Sequence, residues 1–444
     1  MSRRPRKKRL PPPVSDVTIE SLGHDGRGVT HIDGKAVFID GALPGEVVSF
    51  EYLTTRKKFD EGRVLEVQQA SPDRVEPGCQ HFGLCGGCTL QHMDATAQIQ
   101  AKQQVLLDNL KHIGNVVPEA VLDPLTGPVW GYRTKARLGA KFVIKKDRLL
   151  VGFREKRNPY VADLSRCEVL HPSVGERFQE LIEVIGALEA KARIPQVEVS
   201  VSEGTTALVF RHLDPLCESD LDTLKQFSID QDIHVYLQPG GPDTIFPFWP
   251  EQSILSYHLP EQGIEIRFQP TDFTQVNTDI NQQMVRRVLE MLELDQQDRV
   301  LDLFCGLGNF TLPMAQQART VTGVEGDAGL VSRARENAVL NNIENVSFHA
   351  ADLAVDAPDV AWAGGNYNKV LLDPPRCGAA EVMNTLGNIR PQLIVYVSCH
   401  PGSLARDAGT LVNEMGYKLR SAGVMDMFPH TSHVESIALF SQCD

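Results

Sequence analysis

Four side chains with chemical potential each follow an apolar run in the last third of this sequence. They are Glu325, Asp352, Asp373 and Cys399, and the runs before them are short and apolar, as in buried parallel strands. Ligands of doubly wound sheets bind at the carboxyl ends of the strands. We therefore expect three acids and one thiol to meet at one edge of a sheet, where the acids can bind a ligand and the thiol can act as a nucleophile.

The first strand of that sheet is predicted at residues 300–304. Gly306 and Gly308 follow at once, and such glycines let the main chain approach a ligand closely. Thr311 stands where a dinucleotide fingerprint has its third glycine, so S-adenosylmethionine, which has no phosphate, is favoured over a pyrophosphate ligand. A turn without any ligand is the alternative. Glu325 argues against that alternative, because an acid at the end of the second strand can bond both hydroxyls of a ribose.

Length and composition limit the class of protein. The chain has 444 residues, 42% of them hydrophobic, and a net charge of −13. Its length predicts roughly three domains of about 150 residues each. No apolar run approaches the roughly 18 residues of a membrane span, and the basic start leads into prolines, unlike a signal peptide. We expect a cytoplasmic monomer without membrane contact. The acidic balance argues against a generic polyanion binder, but it leaves room for local RNA-binding patches.

Four cysteines have the pattern of a metal site. Cys79, Cys85 and Cys88 have the spacing C-x5-C-x2-C with three glycines between them, and Cys167 lies downstream. Four thiolates fit a [4Fe–4S] cluster or a tetrahedral zinc ion. Zinc sites usually pair two C-x2-C units, and only one is present here, which favours the iron–sulfur cluster. The alternative is a set of buried cysteines without a metal, which rarely cluster in this way in a cytosolic chain.

The N-terminal part predicts a tail and a small domain. Residues 1–13 are basic and proline-rich, which is typical of a solvated tail. Residues 14–70 alternate short apolar runs with turn residues, which predicts a small OB-like β-barrel. Through Gly26-Arg-Gly28 and Pro44-Gly-Glu46 this stretch resembles the TRAM domain of RNA-modifying enzymes. A barrel with a purely structural role is the alternative.

Two further domains are predicted. Residues 71–262 form an α+β central domain that carries the cysteine cluster and an amphipathic helix over 93–113. Three of its basic residues alternate at strand spacing and suit either phosphate contacts or a solvated face: Arg133, Lys135 and Arg137. Residues 263–444 form an α/β domain with a Rossmann-like, S-adenosylmethionine-dependent methyltransferase fold and a final hairpin. Before its first helix, Gln275 and Asn277 are either helix caps or ligand contacts.

The run Asp373-Pro-Pro-Arg376 is similar to a methyltransferase motif. Amino-group methyltransferases usually have an aromatic residue after the prolines, and Arg376 stands there instead, so a ring carbon such as C5 of uracil is the favoured acceptor. That carbon becomes nucleophilic when a thiolate adds to C6, and a base must then remove the C5 proton. Cys399 is the candidate nucleophile and Glu435 the candidate base. Two histidines are the alternative bases: His430 and His433.

Five motifs together make the chain similar to the RNA 5-methyluridine methyltransferases. They are Gln275-Val-Asn277, Asp302-Leu-Phe-Cys-Gly306, Asp373-Pro-Pro-Arg376, Ser398-Cys399 and His433-Val-Glu435. The resemblance implies six ligands of S-adenosylmethionine: Gln275, Phe304, Asn309, Glu325, Asp352 and Asp373. It also implies Cys399 as nucleophile, Glu435 as base and a [4Fe–4S] cluster on the four cysteines. The chain departs from the family where His400 replaces the asparagine that usually follows the nucleophile.

The barrel and the cysteine cluster narrow this resemblance. They are similar to the additions in the branch that methylates uracil 1939 of bacterial 23S rRNA, whereas the related tRNA enzyme lacks both. The implied partner is 23S rRNA, with the target uracil flipped out of its stack. The family also implies that helix 93–113 packs on the catalytic domain. The alternatives are the same chemistry on another 23S rRNA site or on tRNA, an amino-methyltransferase, and a non-catalytic iron–sulfur RNA-binding protein.

Overall fold

The computed structural model describes residues 10–353 and 362–442, so residues 1–9 of the predicted basic tail lie outside the described part. The chain divides into two compact units. The first comprises Met1–Lys102 with Pro429–His433, and the second comprises Gln103–Phe428 with Val434–Asp444. None of the described helices combines the length and the apolar character that crossing a bilayer requires.

The first unit is built on one six-stranded sheet. Its strands are β1 (Val14–Thr18), β2 (Ser21–Leu22), β3 (Gly28–Ile32), β4 (Lys35–Asp40), β5 (Val47–Thr55) and β6 (Phe59–Gln69). They lie in the order β1-β5-β6-β4-β3-β2, and only the β4–β6 pair among them is parallel. Alternate side chains of β4 and β5 point into the core, where Val37, Ile39, Val48 and Phe50 are fully buried.

The predicted small OB-like barrel corresponds to this six-stranded sheet. Its edges are β1 and β2, and no ladder between those two strands closes it within the described residues. The two edge strands are nevertheless successive segments of the chain, linked only by Ile19 and Glu20. The chain changes partner at this link: Ile19 N donates to Glu46 O and Glu20 N donates to Val29 O. A two-residue link keeps the two edges within roughly 11 Å of each other there, so the sheet curls back on itself.

A loop over residues 70–94 carries the first three cysteines and leads into α1 (Ala95–His112). The helix lies within the predicted range 93–113. Its C-terminal half belongs to the second unit, where Leu106 and Leu110 are fully buried and Gly114 O accepts a hydrogen bond from Asn413 Nδ2 at 3.0 Å. That half therefore packs against the α/β domain. A two-residue strand follows, β7 (Ala120–Val121).

The second unit begins with a six-stranded sheet flanked by helices. Its strands are β8 (Lys135–Val143), β9 (Arg148–Gly152), β10 (Gln196–Ser202), β11 (Thr205–Arg211), β12 (Ile233–Gln238) and β13 (Phe246–Trp249). They lie in the order β13-β12-β11-β10-β8-β9. The helices are α2 (Pro172–Gly175), α3 (Phe178–Ala187) and α4 (Glu218–Gln231). An antiparallel pair connects this sheet to the next domain: β14 (Leu255–Leu259) and β15 (Ile264–Phe268).

The α/β domain contains an eight-stranded sheet. Besides β7, its strands are β16 (Arg299–Leu303), β17 (Thr320–Glu325), β18 (Val346–Ala350), β19 (Lys369–Leu372), β20 (Leu393–Ser398), β21 (Tyr417–Met425) and β22 (Glu435–Gln442). The order is β18-β17-β16-β19-β20-β22-β21-β7. The first five are parallel, as predicted, and β22 lies antiparallel between β20 and β21. The strand order reverses between β16 and β19, which is where ligands of such sheets bind.

Five helices cover the faces of this sheet. They are α5 (Thr278–Leu292), α6 (Thr311–Ala315), α7 (Ala328–Leu340), α8 (Met383–Ile389) and α9 (Pro401–Gly409). The apolar face of α5 contributes Met284, Val285 and Val288 to a core shared with Leu371 of β19 and Val395 of β20. The predicted α/β class of this domain is confirmed. Its parallel strands bring the residues that follow them to one edge, as the sequence pattern requires.

Candidate active site

The turn after β16 has the left-handed main-chain geometry that its glycines predict. Phe304, Gly306 and Gly308 have φ angles of 68°, 54° and 91°. The non-glycine Phe304 is held in this conformation because its N–H donates to Val324 O at 2.8 Å, which ties the turn to β17. Strained non-glycine conformations persist only where neighbours fix them, and they cluster at ligand sites. The turn therefore forms a fixed border of the region at the carboxyl ends of the parallel strands, where a ligand is expected.

Glu325 ends β17 directly beside this turn. Its carboxylate accepts hydrogen bonds from Gly306 N and from Asp327 N, both at 3.1 Å. These two main-chain donors fix the orientation of the carboxylate. Further acceptor capacity remains on its oxygens, so this acid can bond the hydroxyls of a ribose, as predicted for it.

Asn309 is held by two residues that the sequence did not single out. Its side-chain amide forms a reciprocal pair with that of Asn281, at 2.9 and 3.0 Å, and its Oδ1 also accepts from the Tyr257 hydroxyl at 2.9 Å. Burial raises the pKa of Tyr257, so this hydroxyl stays a donor. A buried amide on the otherwise apolar face of α5 was the available signal for Asn281. No local pattern marked Tyr257.

Asn277 and Gln275 separate into the two roles that the pattern left open. Asn277 caps α5, since its Oδ1 accepts a hydrogen bond from Ile280 N at 3.3 Å. Gln275 is half-buried and lines a small cavity beside the amide pair. The other residues of that cavity include Tyr257, Phe268 and Asn281. The cap interpretation is therefore right for Asn277, whereas contact of Gln275 with a ligand stays a prediction.

Asp302 is a further acid at this edge, one that the sequence placed only within a motif. It is fully buried on β16 and accepts a hydrogen bond from Thr311 Oγ1 at 2.5 Å. Its other carboxylate oxygen has no hydrogen-bond partner among the described residues. Burial, with the nearby charge of Glu325, raises the pKa of Asp302 to about 7. Thr311, which replaces the expected third glycine, thus supplies a hydroxyl to a buried carboxyl.

Asp373 and Asp352 differ in their surroundings. Asp373 follows β19, and its N–H donates to Leu303 O at 3.3 Å, which keeps it beside β16. Burial first, then the charges of Glu435, Asp302 and Glu325, raise the pKa of Asp373 well above its usual range. Asp352 is exposed, two residues past the end of β18. The structure thus brings Asp373 into the group of acids and leaves Asp352 at its rim.

Cys399 and Glu435 are neighbours across two strands. Ser398, the last residue of β20, pairs with Ser436 of β22, and Ser436 Oγ donates to Ser398 O at 3.2 Å. The neighbours of this last pair are Cys399, the residue directly after β20, and Glu435, the first residue of β22, so the two lie side by side at the end of the ladder. Glu435 is 9% exposed and Cys399 is half-buried.

The thiol of Cys399 lies in an acidic environment. Burial, with the charges of Glu435 and Asp373, raises the pKa of Cys399 to about 11, and the Arg376 guanidinium acts in the opposite direction. Cys305, by contrast, is buried against Gly323 in the β16 turn, as expected for a packing role. Of these two thiols, Cys399 alone adjoins both a candidate base and a cation.

His400 caps a helix. Its Nδ1 accepts a hydrogen bond from Ser403 N at 3.1 Å, at the first turn of α9. Asparagine is also a preferred N-cap residue, so an asparagine at this position would be expected to cap α9 in the same way. The alternative bases, His430 and His433, belong to the first unit, where Thr89 N and Leu90 N both donate to His430 O at 2.9 Å.

The cysteines of the predicted metal site fall in both units. In the first unit, Phe82 N donates to Cys79 O at 3.0 Å and Gly87 N lies 3.4 Å from Cys85 Sγ, within a tightly turned loop. Cys88 is buried, and so is Cys167, whose N–H donates to Gly175 O in the second unit. Among the described residues, no group of three or more His, Cys, Asp or Glu side chains is arranged to hold a metal ion.

Comparison with known proteins covers the whole chain. A family profile described as tRNA (Uracil-5-)-methyltransferase matches residues 96–443, and a TRAM domain profile matches residues 14–67. The chain is 54% identical over 444 residues to the 23S rRNA (uracil(1939)-C(5))-methyltransferase of Nitrosococcus oceani, which covers 100% of this chain and 99% of that protein. It is 52% identical over 443 residues to the protein of the same name from Methylococcus capsulatus, with 100% of both covered.

A solved structure has the same fold. The tRNA (uracil-54, C5)-methyltransferase of Pyrococcus abyssi, in complex with S-adenosyl-L-homocysteine, has a TM-score of 0.73 and 24% sequence identity to this chain. The match covers 96% of this chain and 100% of that one. The fold predicted for the α/β domain is confirmed by this likeness.

Proposed function

Because this chain belongs to the tRNA (uracil-5-)-methyltransferase family, we propose that it methylates C5 of uracil 1939 in 23S rRNA, using S-adenosylmethionine. Relatives that are more than half identical over its full length carry that name, and the TRAM match extends the likeness beyond the methyltransferase domain. The observation that supports the chemistry is the pairing of Ser398 with Ser436, because Cys399 and Glu435 are the adjoining residues at the end of that ladder. The cytoplasmic location and the monomeric state stay predictions.

Each step of the reaction has a group to perform it. Cys399 Sγ, as a thiolate, forms a bond to C6 of the uracil and moves electron density onto C5. When bound, S-adenosylmethionine supplies the electrophilic methyl group that C5 accepts. Glu435 then removes the C5 proton, the electron pair of that C–H bond restores the C5–C6 double bond, and the bond between Cys399 and C6 breaks.

Six residues would hold S-adenosylmethionine: Gln275, Phe304, Asn309, Glu325, Asp352 and Asp373. They fit it because the edge of the sheet presents carboxylates and amides to a ligand with ribose hydroxyls and an ammonium group. Glu325 is oriented by two main-chain donors, and Asn309 by its amide pair. Asp302 adds a buried carboxyl oxygen with no hydrogen-bond partner among the described residues.

We further propose that Cys79, Cys85, Cys88 and Cys167 hold a [4Fe–4S] cluster. The donor set suits it, since three of the four thiols lie in one loop where Gly83 adopts a φ of 88° that permits a tight turn. Methyl transfer uses none of these thiols, so we expect a structural or RNA-contacting role. Anaerobically purified protein should contain about four iron ions and four acid-labile sulfides per chain. Cys88→Ser should remove both signals and Cys217→Ser should not, whereas stoichiometric zinc would contradict the cluster.

The test of the function is a covalent trap. A 23S rRNA fragment containing 5-fluorouridine is mixed with protein and S-adenosylmethionine and run on a denaturing gel. Fluorine at C5 cannot leave as a proton does, so the adduct should persist, map to Cys399 and identify the target nucleotide. Cys399→Ala provides the control that cannot form it. An adduct on tRNA but not on the rRNA fragment would show that the substrate is wrong, and no adduct on either would contradict the nucleophile.

A further inference from the structure

A second hairpin follows β9 in the central domain, over residues 153–162. Arg154 and Val161 form an antiparallel bridge, Glu155 N donates to Tyr160 O at 2.8 Å, and Ala162 N donates to Phe153 O at 2.8 Å. We call residues 153–162 the basic arm. Its turn is stabilised by Asn158, whose Nδ2 donates to Glu155 Oε2 at 3.1 Å. The single acid of the arm is thus occupied within the arm itself.

The basic arm lies beside the catalytic edge, by which we mean the edge of the eight-stranded sheet where Cys399 and Glu435 lie. At its base, the Phe153 ring faces the guanidinium of Arg133 at 5.7 Å, and the same guanidinium lies 5.9 Å from the Phe428 ring. Phe428 follows β21 by three residues, and the last residue of β21, Met425, pairs with Glu435. Arg133 therefore connects the arm to the chain segment that positions the candidate base.

Positive charge is concentrated around the arm. Residues 133–166 contain eleven Lys and Arg but only three Asp and Glu, a net charge of +8 in a chain whose total is −13. Two of these cations, Arg137 and Arg166, are paired with Glu198 and Glu168 outside the segment. Within the arm, Arg154 and Arg157 are exposed, and Lys156 lies between them. An acidic protein that keeps a local basic surface beside its catalytic edge has a site for a polyanion there.

The arm also carries an aromatic ring at the surface. Tyr160 is 67% exposed, next to the turn that holds the three cations. An exposed aromatic among cations is the combination that binds single-stranded nucleic acid, because bases stack on the ring while the cations contact phosphates. An acidic protein partner would account for the cations but not for the ring.

We propose that the basic arm binds unpaired nucleotides of the RNA substrate next to the target uracil, with Tyr160 stacking on a base and Arg154, Lys156 and Arg157 contacting phosphates. This inference rests on the proposed function, and it names the surface that holds the RNA while the uracil occupies the site. The arm residues bind RNA and do not take part in bond making or breaking.

The test compares two triple variants of the full chain. R154A/K156A/R157A removes the arm cations. R299A/R319A/K418A removes three exposed cations at or next to the amino ends of β16, β17 and β21, the opposite edge of the sheet. The probe is a labelled fragment of 23S rRNA spanning position 1939. The arm triple should raise Kd and KM for RNA by at least about tenfold and lower the slope of log K against log salt by about two, at about 0.7 per lost contact. Its kcat at saturating RNA should be unchanged.

Tyr160 is tested by a matched pair. Tyr160→Ala should weaken RNA binding about tenfold through lost stacking, and Tyr160→Phe should bind as the unaltered protein does. Thermal unfolding and S-adenosylmethionine binding check that each variant is folded. Equal RNA affinities of the two triple variants, or of the two Tyr160 variants, would overturn the inference. If these affinities differ as expected but the unaltered protein methylates no uracil, the proposed function fails and the arm stands.

Discussion

The two halves of the catalytic edge are built differently. On the β16–β17 side, polar groups have protein partners: Glu325 accepts from two main-chain amides, and Asn309 is locked to Asn281 and Tyr257. On the β20–β22 side, the nearby carboxylates oppose ionisation of the Cys399 thiol, whereas the positive charge of Arg376 favours it. The cofactor half is preorganised, whereas the reacting half is electrostatically unfavourable for the thiolate that the chemistry needs.

This contrast indicates where the missing stabilisation comes from. With a pKa of about 11, Cys399 would be a thiolate in fewer than about one molecule in a thousand near neutral pH. A unit positive charge roughly 6 Å away, at an effective dielectric constant of about 20, would favour the thiolate by about 3 kcal/mol, or about two pKa units. The methyl donor carries such a charge on its sulfur. Binding of S-adenosylmethionine by the cofactor half would therefore lower the pKa of Cys399 in the reacting half.

The largest effect is expected at Glu435. Glu435→Gln removes the proposed base for the C5 proton, so methylated product should form about 10³-fold more slowly. It also removes a charge that raises the pKa of Cys399, so the thiol should still add to the uracil. The covalent adduct should therefore accumulate on natural RNA, without fluorine, and be visible on a denaturing gel.

Glu414 offers a matched control, because it is an exposed glutamate beyond α9. Glu414→Gln should methylate RNA as the unaltered protein does. If Glu435→Gln retained product formation within threefold of that control, another group would have to accept the C5 proton. The comparison between a cofactor half and a reacting half would then be contradicted, because Glu435 would not act in the reaction.

The features of the catalytic edge that the sequence predicts are those set by residues close together in the chain. The parallel strands and the groups at their ends follow from local apolar runs, so Glu325, Asp373 and Cys399 could be placed before the structure. The insertion of β22 between β20 and β21 could not, because an antiparallel strand that ends the chain can pair on either side of its partner. That insertion is what sets Glu435 beside Cys399.

Hydrogen bonds between residues far apart in the chain could not be predicted from the sequence either. The lock on Asn309 joins residues 28 and 52 positions away, and nothing in a local pattern marks Tyr257 as its member. The curl of the first sheet was beyond the sequence for a similar reason: short strands predict a small OB-like barrel, whereas the curl depends on Ile19 N donating to Glu46 O and Glu20 N donating to Val29 O. Apolar periodicity does not encode such exchanges.

A second prediction concerns the coupling between the two halves. The rate of Cys399 alkylation by iodoacetamide should rise with pH, because a raised thiol pKa means that the reactive thiolate is lost as pH falls below about 11. Saturating S-adenosylmethionine should move that midpoint down by about two units and raise the rate at pH 8 about 100-fold. Mass spectrometry of the modified peptide separates Cys399 from the exposed Cys377.

S-adenosylhomocysteine is the matched ligand, since it occupies the same space with an uncharged sulfur. It should leave the midpoint of alkylation within half a unit of the value for the free protein. Equal shifts with both ligands would mean that packing, not the charge on the donor, activates the thiol.

A third and smaller effect is expected at the amide lock. Asn309→Ala removes a proposed ligand contact and leaves the Asn281 amide and the Tyr257 hydroxyl without this partner, so it should cost about 1–3 kcal/mol of unfolding free energy and weaken S-adenosylmethionine binding about tenfold. Asn281→Ala breaks the same pair but removes none of the six proposed ligand residues. Calorimetric Kd values should therefore separate the two variants by severalfold, while their stabilities fall together. Equal Kd values would limit Asn309 to positioning.

The smallest effect is expected at His400, the residue that follows the candidate nucleophile. His400→Asn should keep the N-cap of α9 and change the free energy of unfolding by a few tenths of a kcal/mol, whereas His400→Ala should cost about 1 kcal/mol. The helix begins directly after Cys399, but the register of β20 with β22 holds the thiol beside Glu435 independently of the cap. Methylation rates of both variants should therefore stay within threefold. A larger loss of rate in His400→Asn than in His400→Ala would show that the histidine acts in the reacting half itself.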